Sequence, residues 1–144
     1  MRSGFVRTFA IVVVLSLVGP FARSALAARI VVYGASGGVG RVIVEEALSR
    51  GHEVIGVSRD VKSLKFDNPR FAAAAGDATD PDSIAATVRG ADVVVISVRG
   101  VGPGNTPQEA VTFRAATAYI KAASQLGKAT PYVIQIDRKS TRLN

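Results

Sequence analysis

From Arg29 onward the chain alternates short apolar runs with longer stretches in which apolar residues return every three or four positions. Ile30, Val31 and Val32 form a continuous run, the pattern of a parallel strand buried on both faces. Val39, Ile43 and Ala47, with Val42 beside them, then repeat at i, i+4 and i+8 and leave Arg41, Glu45 and Arg50 to water, which predicts an amphipathic helix closed by Gly51. A second strand over 53–58 follows at once. Further on, 71–75 reads as a weak strand, 82–88 as a short helix, 92–96 as a strong strand, 108–126 as a long helix and 132–136 as a fifth strand. In the long helix Val111, Ala115, Ala118 and Ala122 make the apolar stripe, and Gly127 is a stop signal. Alternating strands and helices imply a parallel sheet with right-handed crossovers and helices on both faces, a doubly wound α/β domain. No internal repeat or low-complexity linker interrupts it.

The two ends follow other rules. Arg2 and Arg7 precede an apolar run over 9–18, Gly19-Pro20 breaks it, and Ala25-Leu26-Ala27 places small residues where a signal peptidase reads them. Residues 1–27 are thus expected to be a secretory signal cleaved after Ala27. The alternative, a permanent membrane span, needs about 20 apolar residues, so no stable span is expected after cleavage. At the other end, residues 137–144 form a basic run that matches one reading frame of a common sequencing-library adapter, GAT CGG AAG AGC ACA CGT CTG AAC, residue for residue. The expectation is an artefactual tail, with residues 28–136 a C-terminally incomplete domain; the alternative is a short solvated basic tail.

Removing both ends changes the charge argument. The full chain of 144 residues carries 18 Lys and Arg against 11 Asp and Glu, whereas residues 28–136 carry 12 against 10, a net charge of +2. The basic excess therefore lies mostly in the termini, and a nucleic-acid partner loses its support. With no cysteine and one histidine, His52, the chain has no disulfide, no thiol nucleophile and no histidine-rich metal site. His52 opens a strand, where a structural role competes with a proton-shuttle role. About 109 residues suffice for one core and not for a second domain.

The candidate chemistry lies in Gly34-Ala-Ser-Gly-Gly-Val-Gly40, where the first strand runs into glycines spaced three apart. Gly34 permits the tight turn, Gly37 lets backbone approach a pyrophosphate, and Gly40 lets the helix pack close to the strand. Strand, glycine turn, helix and strand fit within about 30 residues, the size of a βαβ unit. Together they predict a dinucleotide site with the phosphates at the helix N-terminus.

With Gly51-His-Glu-Val, Ser58-Arg59, Gly76-Asp-Ala-Thr-Asp-Pro-Asp-Ser83 and Val93-Val-Val-Ile-Ser97, the glycine motif resembles the N-terminal part of an atypical short-chain dehydrogenase/reductase of the NAD(P)H-binding, NmrA-like kind. The resemblance covers Arg29 to Ile136 and implies a Rossmann fold truncated after about five strands. It implies that Ala35, Ser36, Gly37, Gly38, Val39 and Gly40, following Gly34, contact the pyrophosphate through backbone N–H groups, with Ser36 adding a hydroxyl. Ser58 and Arg59 stand at the end of the second strand, where an NAD site would place an acid. Arginine pairs with a 2′-phosphate, so NADP(H) is favoured over NAD(H), while Asp60 keeps NAD open. The resemblance also implies that Asp77 reaches the adenine amino group, that Ala78 lies against the ring, and that Ser97 and Val98 line the nicotinamide side. Asp77 has an alternative as a turn or capping residue, and Asp80 or Asp82 is expected to cap the next helix.

The catalytic residues are not identified by this pattern. Short-chain dehydrogenases commonly pair a tyrosine with a lysine four residues later to move a proton, but Tyr119 is followed at that spacing by Ala123, and Lys121 projects elsewhere. Tyr33 and Tyr132 also lack such a partner, and Tyr119 reads as a packing residue. The loop over 99–107, rich in glycine, is a candidate to close over a small-molecule substrate, with Arg99 or Asn105 touching it. The expectations are an NADP(H)-dependent oxidoreductase or epimerase-like enzyme, a cofactor-binding sensor without turnover, or a non-functional fragment. Export sits uneasily with a dinucleotide site: cofactor is acquired before export, the ligand differs, or translation starts later.

Overall fold

The computed structural model describes residues 26–100, 106 and 110–136. Nearly all of the expected signal segment, the whole of the expected tail and positions 101–105 of the glycine-rich loop, Asn105 included, lie outside the described residues. No helix among the described residues is long and apolar enough to cross a membrane.

Five strands form one parallel sheet: β1 (Arg29–Tyr33), β2 (Glu53–Ser58), β3 (Phe71–Ala75), β4 (Val93–Ile96) and β5 (Tyr132–Gln135). Their spatial order is β3-β2-β1-β4-β5, so the chain moves outward from β1 to one edge and then crosses to the other side. That crossover leaves the carboxyl ends of β1 and β4 side by side, with Tyr33 in register with Ile96. It is the switch point at which an open α/β sheet forms its crevice.

Helix α1 (Gly38–Ser49) covers one face, and α2 (Pro81–Thr87) with α3 (Val111–Leu126) covers the other. Because side chains alternate along a strand, Val32, Val54 and Val95 pack under Val44, Ala47 and Leu48 of α1. Val31, Tyr33, Val57, Val94 and Ile96 pack under Ile84 and Val88 of α2 and Ala115, Ala118, Tyr119 and Ala122 of α3. Fully buried side chains of this size are worth about 1.5–3 kcal/mol each, and the β1 valines are wholly buried.

The predicted elements are all present, with two shifts of detail. In α1 the buried positions are Gly40, Val44, Ala47 and Leu48, while Val42 is 63 % exposed and Val39 40 % exposed. The expected Val39-Ile43-Ala47 stripe is rotated because Gly40 makes the closest approach to the preceding turn. In α3 the buried face is Ala115, Ala118, Tyr119 and Ala122; Val111 opens the helix at partial exposure, and positions 108–109 lie outside the described residues. Gly51 and Gly127 end their helices with positive φ, as their stop signals predict.

Polar contacts fix the connections. Asp80 is the cap of α2, its side chain accepting from the Asp82 N–H at 3.1 Å, with Pro81 at the first helical position. Asp92 accepts from the Arg29 N–H at 2.8 Å, which ties the start of β1 to the start of β4. His52 accepts from the Ala28 N–H at 3.1 Å, the structural role among its two readings. The buried Tyr119 hydroxyl donates to the Pro131 carbonyl at 2.5 Å and so joins α3 to the entry of β5.

Candidate functional site

At the carboxyl ends of the strands a slot of about 440 Å³ opens between the turn after β1, the ends of β2 and β3, the end of β4 and the first turn of α3. Its floor is built by the glycine turn. Gly34 has φ +77°, and a Cβ there would stand 2.3 Å from the Ser97 carbonyl oxygen. The Gly34 N–H meanwhile donates to the Val57 carbonyl at 3.1 Å, and the Ser97 N–H to that of Tyr33 at 3.0 Å. The turn is therefore held against both neighbouring strands.

Gly40 has its own constraint: a Cβ would come within 2.1 Å of the Gly34 carbonyl oxygen. Only a glycine lets α1 start this close to the strand it leaves. The helix begins at Gly38 after Gly37, with no side-chain cap and no acid in its first turn. Its first N–H groups have no intrahelical partners and carry the positive end of the helix dipole. This end of the slot is suited to an anion.

Among the residues singled out from sequence, Gly34, Ser36, Gly37, Gly38, Val39, Ser58, Arg59, Asp77, Ala78, Ser97 and Val98 all line the slot. Ala35 and Gly40 do not: Ala35 is wholly buried among the residues under α1, and Gly40 is buried against the turn. Ser36 and Ser58 face each other with hydroxyl oxygens 3.4 Å apart. Asp60 is absent from the lining. Its carboxylate accepts from the Lys62 N–H at 3.0 Å and caps the short 3₁₀ turn Val61–Ser63.

Asp77 lines the slot and holds a turn, the local role among its two readings. Its Oδ1 accepts from both the N–H and the hydroxyl of Thr79 at 2.8 Å. The backbone N–H of Thr79 is the main cause that holds this carboxyl below the usual aspartate value; desolvation opposes it, and the Thr79 hydroxyl and the charges of Arg59 and Arg114 each add a smaller lowering. The loop itself is held by the Asp77 N–H, which donates to Ser83 Oγ at 3.0 Å.

Sequence reasoning missed Arg114. It lines the slot from α3, and its Nη2 donates to Thr79 Oγ1 at 3.5 Å. It is the fourth residue of a helix whose first turn holds no acid. A cation near a helix N-terminus opposes the dipole by about 0.3–1 kcal/mol, which is the signal that could have marked it. Among the described residues of the lining, Arg59, Arg99 and Arg114 thus stand against the single carboxylate of Asp77.

Tyr33 also borders the slot, 1 % exposed, and among the described residues its hydroxyl makes no hydrogen bond of good geometry, the Thr87 hydroxyl being a polar neighbour. Burial pushes its pKa up to about 12. The nearby Thr87 hydroxyl, which donates to the Ser83 carbonyl at 2.8 Å, offsets only part of that. Tyr119 and Tyr132 lie outside the lining.

The family model of NAD(P)H-binding proteins matches residues 34–132. The chain belongs to the NAD(P)H-binding family. No curated protein matches the sequence. Among solved structures, an assigned exported protein of Burkholderia pseudomallei is 32 % identical with a TM-score of 0.56, over 75 % of this chain and 47 % of that one. An assigned epimerase of Bacteroides thetaiotaomicron is 29 % identical with a TM-score of 0.58, over 70 % and 44 %. Uronate dehydrogenase of Agrobacterium tumefaciens, complexed with NAD, shares the fold at 22 % identity and a TM-score of 0.60, over 77 % and 41 %. This NAD(P)H-binding chain spans about half the length of the structures it resembles, and its architecture is that of Rossmann proteins of the short-chain dehydrogenase and epimerase type.

Proposed function

We propose that the slot binds NADP(H) and that the protein is an NADP(H)-dependent oxidoreductase or epimerase-like enzyme of the atypical, NmrA-like short-chain dehydrogenase group. The observation that carries the cofactor preference is at the end of β2. Arg59 lines the slot, while Asp60, the acid that would favour an unphosphorylated ribose, is turned to capping Val61–Ser63. Among the described lining residues, three arginines against one aspartate favour the more highly charged dinucleotide.

The residues fit such a group from end to end. The uncapped N–H groups of the first turn of α1 would take the pyrophosphate, with Ser36 beside them. Ser58 and Arg59 would hold the 2′-phosphate, Asp77 and Ala78 the adenine, and Ser97 and Val98 the nicotinamide side. Ala35 and Gly40 act from beneath, through the turn. When bound, the nicotinamide would supply the hydride chemistry; the chain's part would be to bind and orient it, and Arg99, in the lining after β4, would meet a small-molecule substrate.

A second reading, a cofactor-binding sensor without turnover, is favoured by one observation. Among the described residues no tyrosine presents a free hydroxyl to the slot beside a lysine: Tyr119 is committed to Pro131, and no lysine lines the cavity. For residues 1–27 we propose an export signal, a reading supported by the assigned exported protein among the structural neighbours.

Titration calorimetry with NADPH and NADH is the test, followed by NADPH consumption against a carbonyl and quinone panel. NADPH binding at least tenfold tighter than NADH, lost in Arg59→Ala, supports the cofactor assignment; equal affinities reject it. Turnover with any panel member supports the enzyme, and tight binding without turnover supports the sensor.

A further inference from the structure

We propose that Arg114 is a positioning residue for base recognition, holding Asp77 through Thr79 so that the site distinguishes adenine from a 6-oxo purine. The proposal rests on the dinucleotide reading above and adds to it a residue from the opposite side of the slot.

A chain of three donors and acceptors carries it. Arg114 Nη2 donates to Thr79 Oγ1 at 3.5 Å, and Thr79 Oγ1 donates in turn to Asp77 Oδ1 at 2.8 Å. The Thr79 N–H donates to the same Oδ1 at 2.8 Å. One oxygen of Asp77 is thereby fully engaged, and the other is left to a ligand. Because Thr79 has one hydroxyl proton, an arginine donating into its oxygen lone pair directs that proton toward Asp77 rather than away. Without Arg114 the hydroxyl keeps its 2.8 Å bond to the carboxylate but loses the donor that polarises it, and that restraint on Asp77 weakens.

The chemistry follows from what a carboxylate accepts. An ionised Asp77 is an acceptor only. The exocyclic amino group of adenine donates to it, whereas the 6-oxo group of hypoxanthine presents another acceptor and repels it. Arg59 and Arg114 flank the aspartate and favour its ionised form at neutral pH. The α3 helix, which contributes nothing to the glycine motif, thus gains a part in the site through the crossover that lays it beside α2 and the loop after β3.

The experiment compares NADPH with its hypoxanthine analogue, which differs only in carrying the 6-oxo purine, by calorimetric affinity on the full chain. Wild type is expected to prefer the adenine form about tenfold, in line with one hydrogen bond to a charged group. Arg114→Ala and Thr79→Val are each expected to reduce that preference to about twofold, and Arg114→Lys to retain part of it. Arg59→Ala is expected to weaken both nucleotides by the same factor and leave their ratio unchanged. A merely structural role for Arg114 would lower both affinities together at constant ratio, and that result overturns the proposal. So does a wild type that binds NADPH without base preference. Failure of wild type to bind either nucleotide or NADH overturns the dinucleotide reading itself, and is distinguished from the other outcomes by the absence of any binding heat.

Discussion

Tyr33 shows at the scale of one residue how the slot and the core compete. It ends β1, where the alternation of the strand sends its side chain into the face covered by α2 and α3, and that burial leaves a hydroxyl without a partner. A buried unsatisfied hydroxyl costs about 1–3 kcal/mol, so Tyr33→Phe is expected to raise stability by about 1 kcal/mol at pH 7, read as a higher urea midpoint at constant slope. The pH dependence carries the sign of the shift. The phenol ionises near 10 when unfolded and at about 12 when folded, so between those values the folded state holds more protons and stability falls as pH rises. Wild type is therefore expected to lose stability across pH 10 to 12 more steeply than Tyr33→Phe, by up to about 1.4 kcal/mol per pH unit. Parallel curves for the two proteins would show that the hydroxyl is not buried in solution. The smaller upward shift at Tyr119, also from burial, is common to both proteins and cancels in the comparison.

Among the elements, the β1–α1 unit separates glycines that the fold requires from one it does not. A Cβ at Gly40 would meet the Gly34 carbonyl oxygen at 2.1 Å, whereas one at Gly38 would meet nothing within 4 Å. Gly40→Ala is expected to cost about 3 kcal/mol, since backbone on both sides has no room to move. Gly38→Ala, in the first turn of a helix, is expected to change stability by less than about 1 kcal/mol and toward the stable side. Denaturant melts of the two variants check both, and equal losses would contradict the packing described for the turn. The same contact explains what was and was not legible in the sequence. Element order, the five strands and the glycine turn follow from apolar runs and stop signals, which act over a few residues. The face that α1 buries does not, because hydrophobic periodicity weights Val39, Val42 and Ile43 while the helix is rotated to bring Gly40 and Val44 inward. Asp60 was readable as a ribose ligand by its place after β2, but its carboxylate is engaged locally, accepting from the Lys62 N–H. Arg114 was hidden for a different reason: its neighbour Thr79 lies 35 positions away, and no local pattern brings α3 to the loop after β3.

At the scale of the whole molecule, the described sheet is covered unevenly. Parallel sheets are normally covered on both faces, and β1, β2 and β4 are, but all four residues of β5 are exposed, Tyr132 at 83 % and Ile134 at 51 %. β5 is also one of the two terminal strands of the described sheet, β3, a run of alanines after Phe71, being the other. In register, Tyr132 and Ile134 sit beside Val93 and Val95, on the α1 side of the sheet. An apolar terminal strand of this kind is a template for association. The 144-residue chain is therefore expected to self-associate with rising concentration, measured by sedimentation velocity. Ile134→Lys is expected to suppress that association while changing the unfolding free energy by less than about 0.5 kcal/mol, because the position is already solvent-exposed. The slot is lined from the ends of β1 to β4 and from α3, with no residue of β5. Nucleotide affinity should accordingly be the same in Ile134→Lys and wild type. A variant that gains solubility and loses nucleotide binding would mean that the covering of β5 and the shape of the slot are coupled. An unchanged affinity would mean that the slot forms and binds independently of that edge.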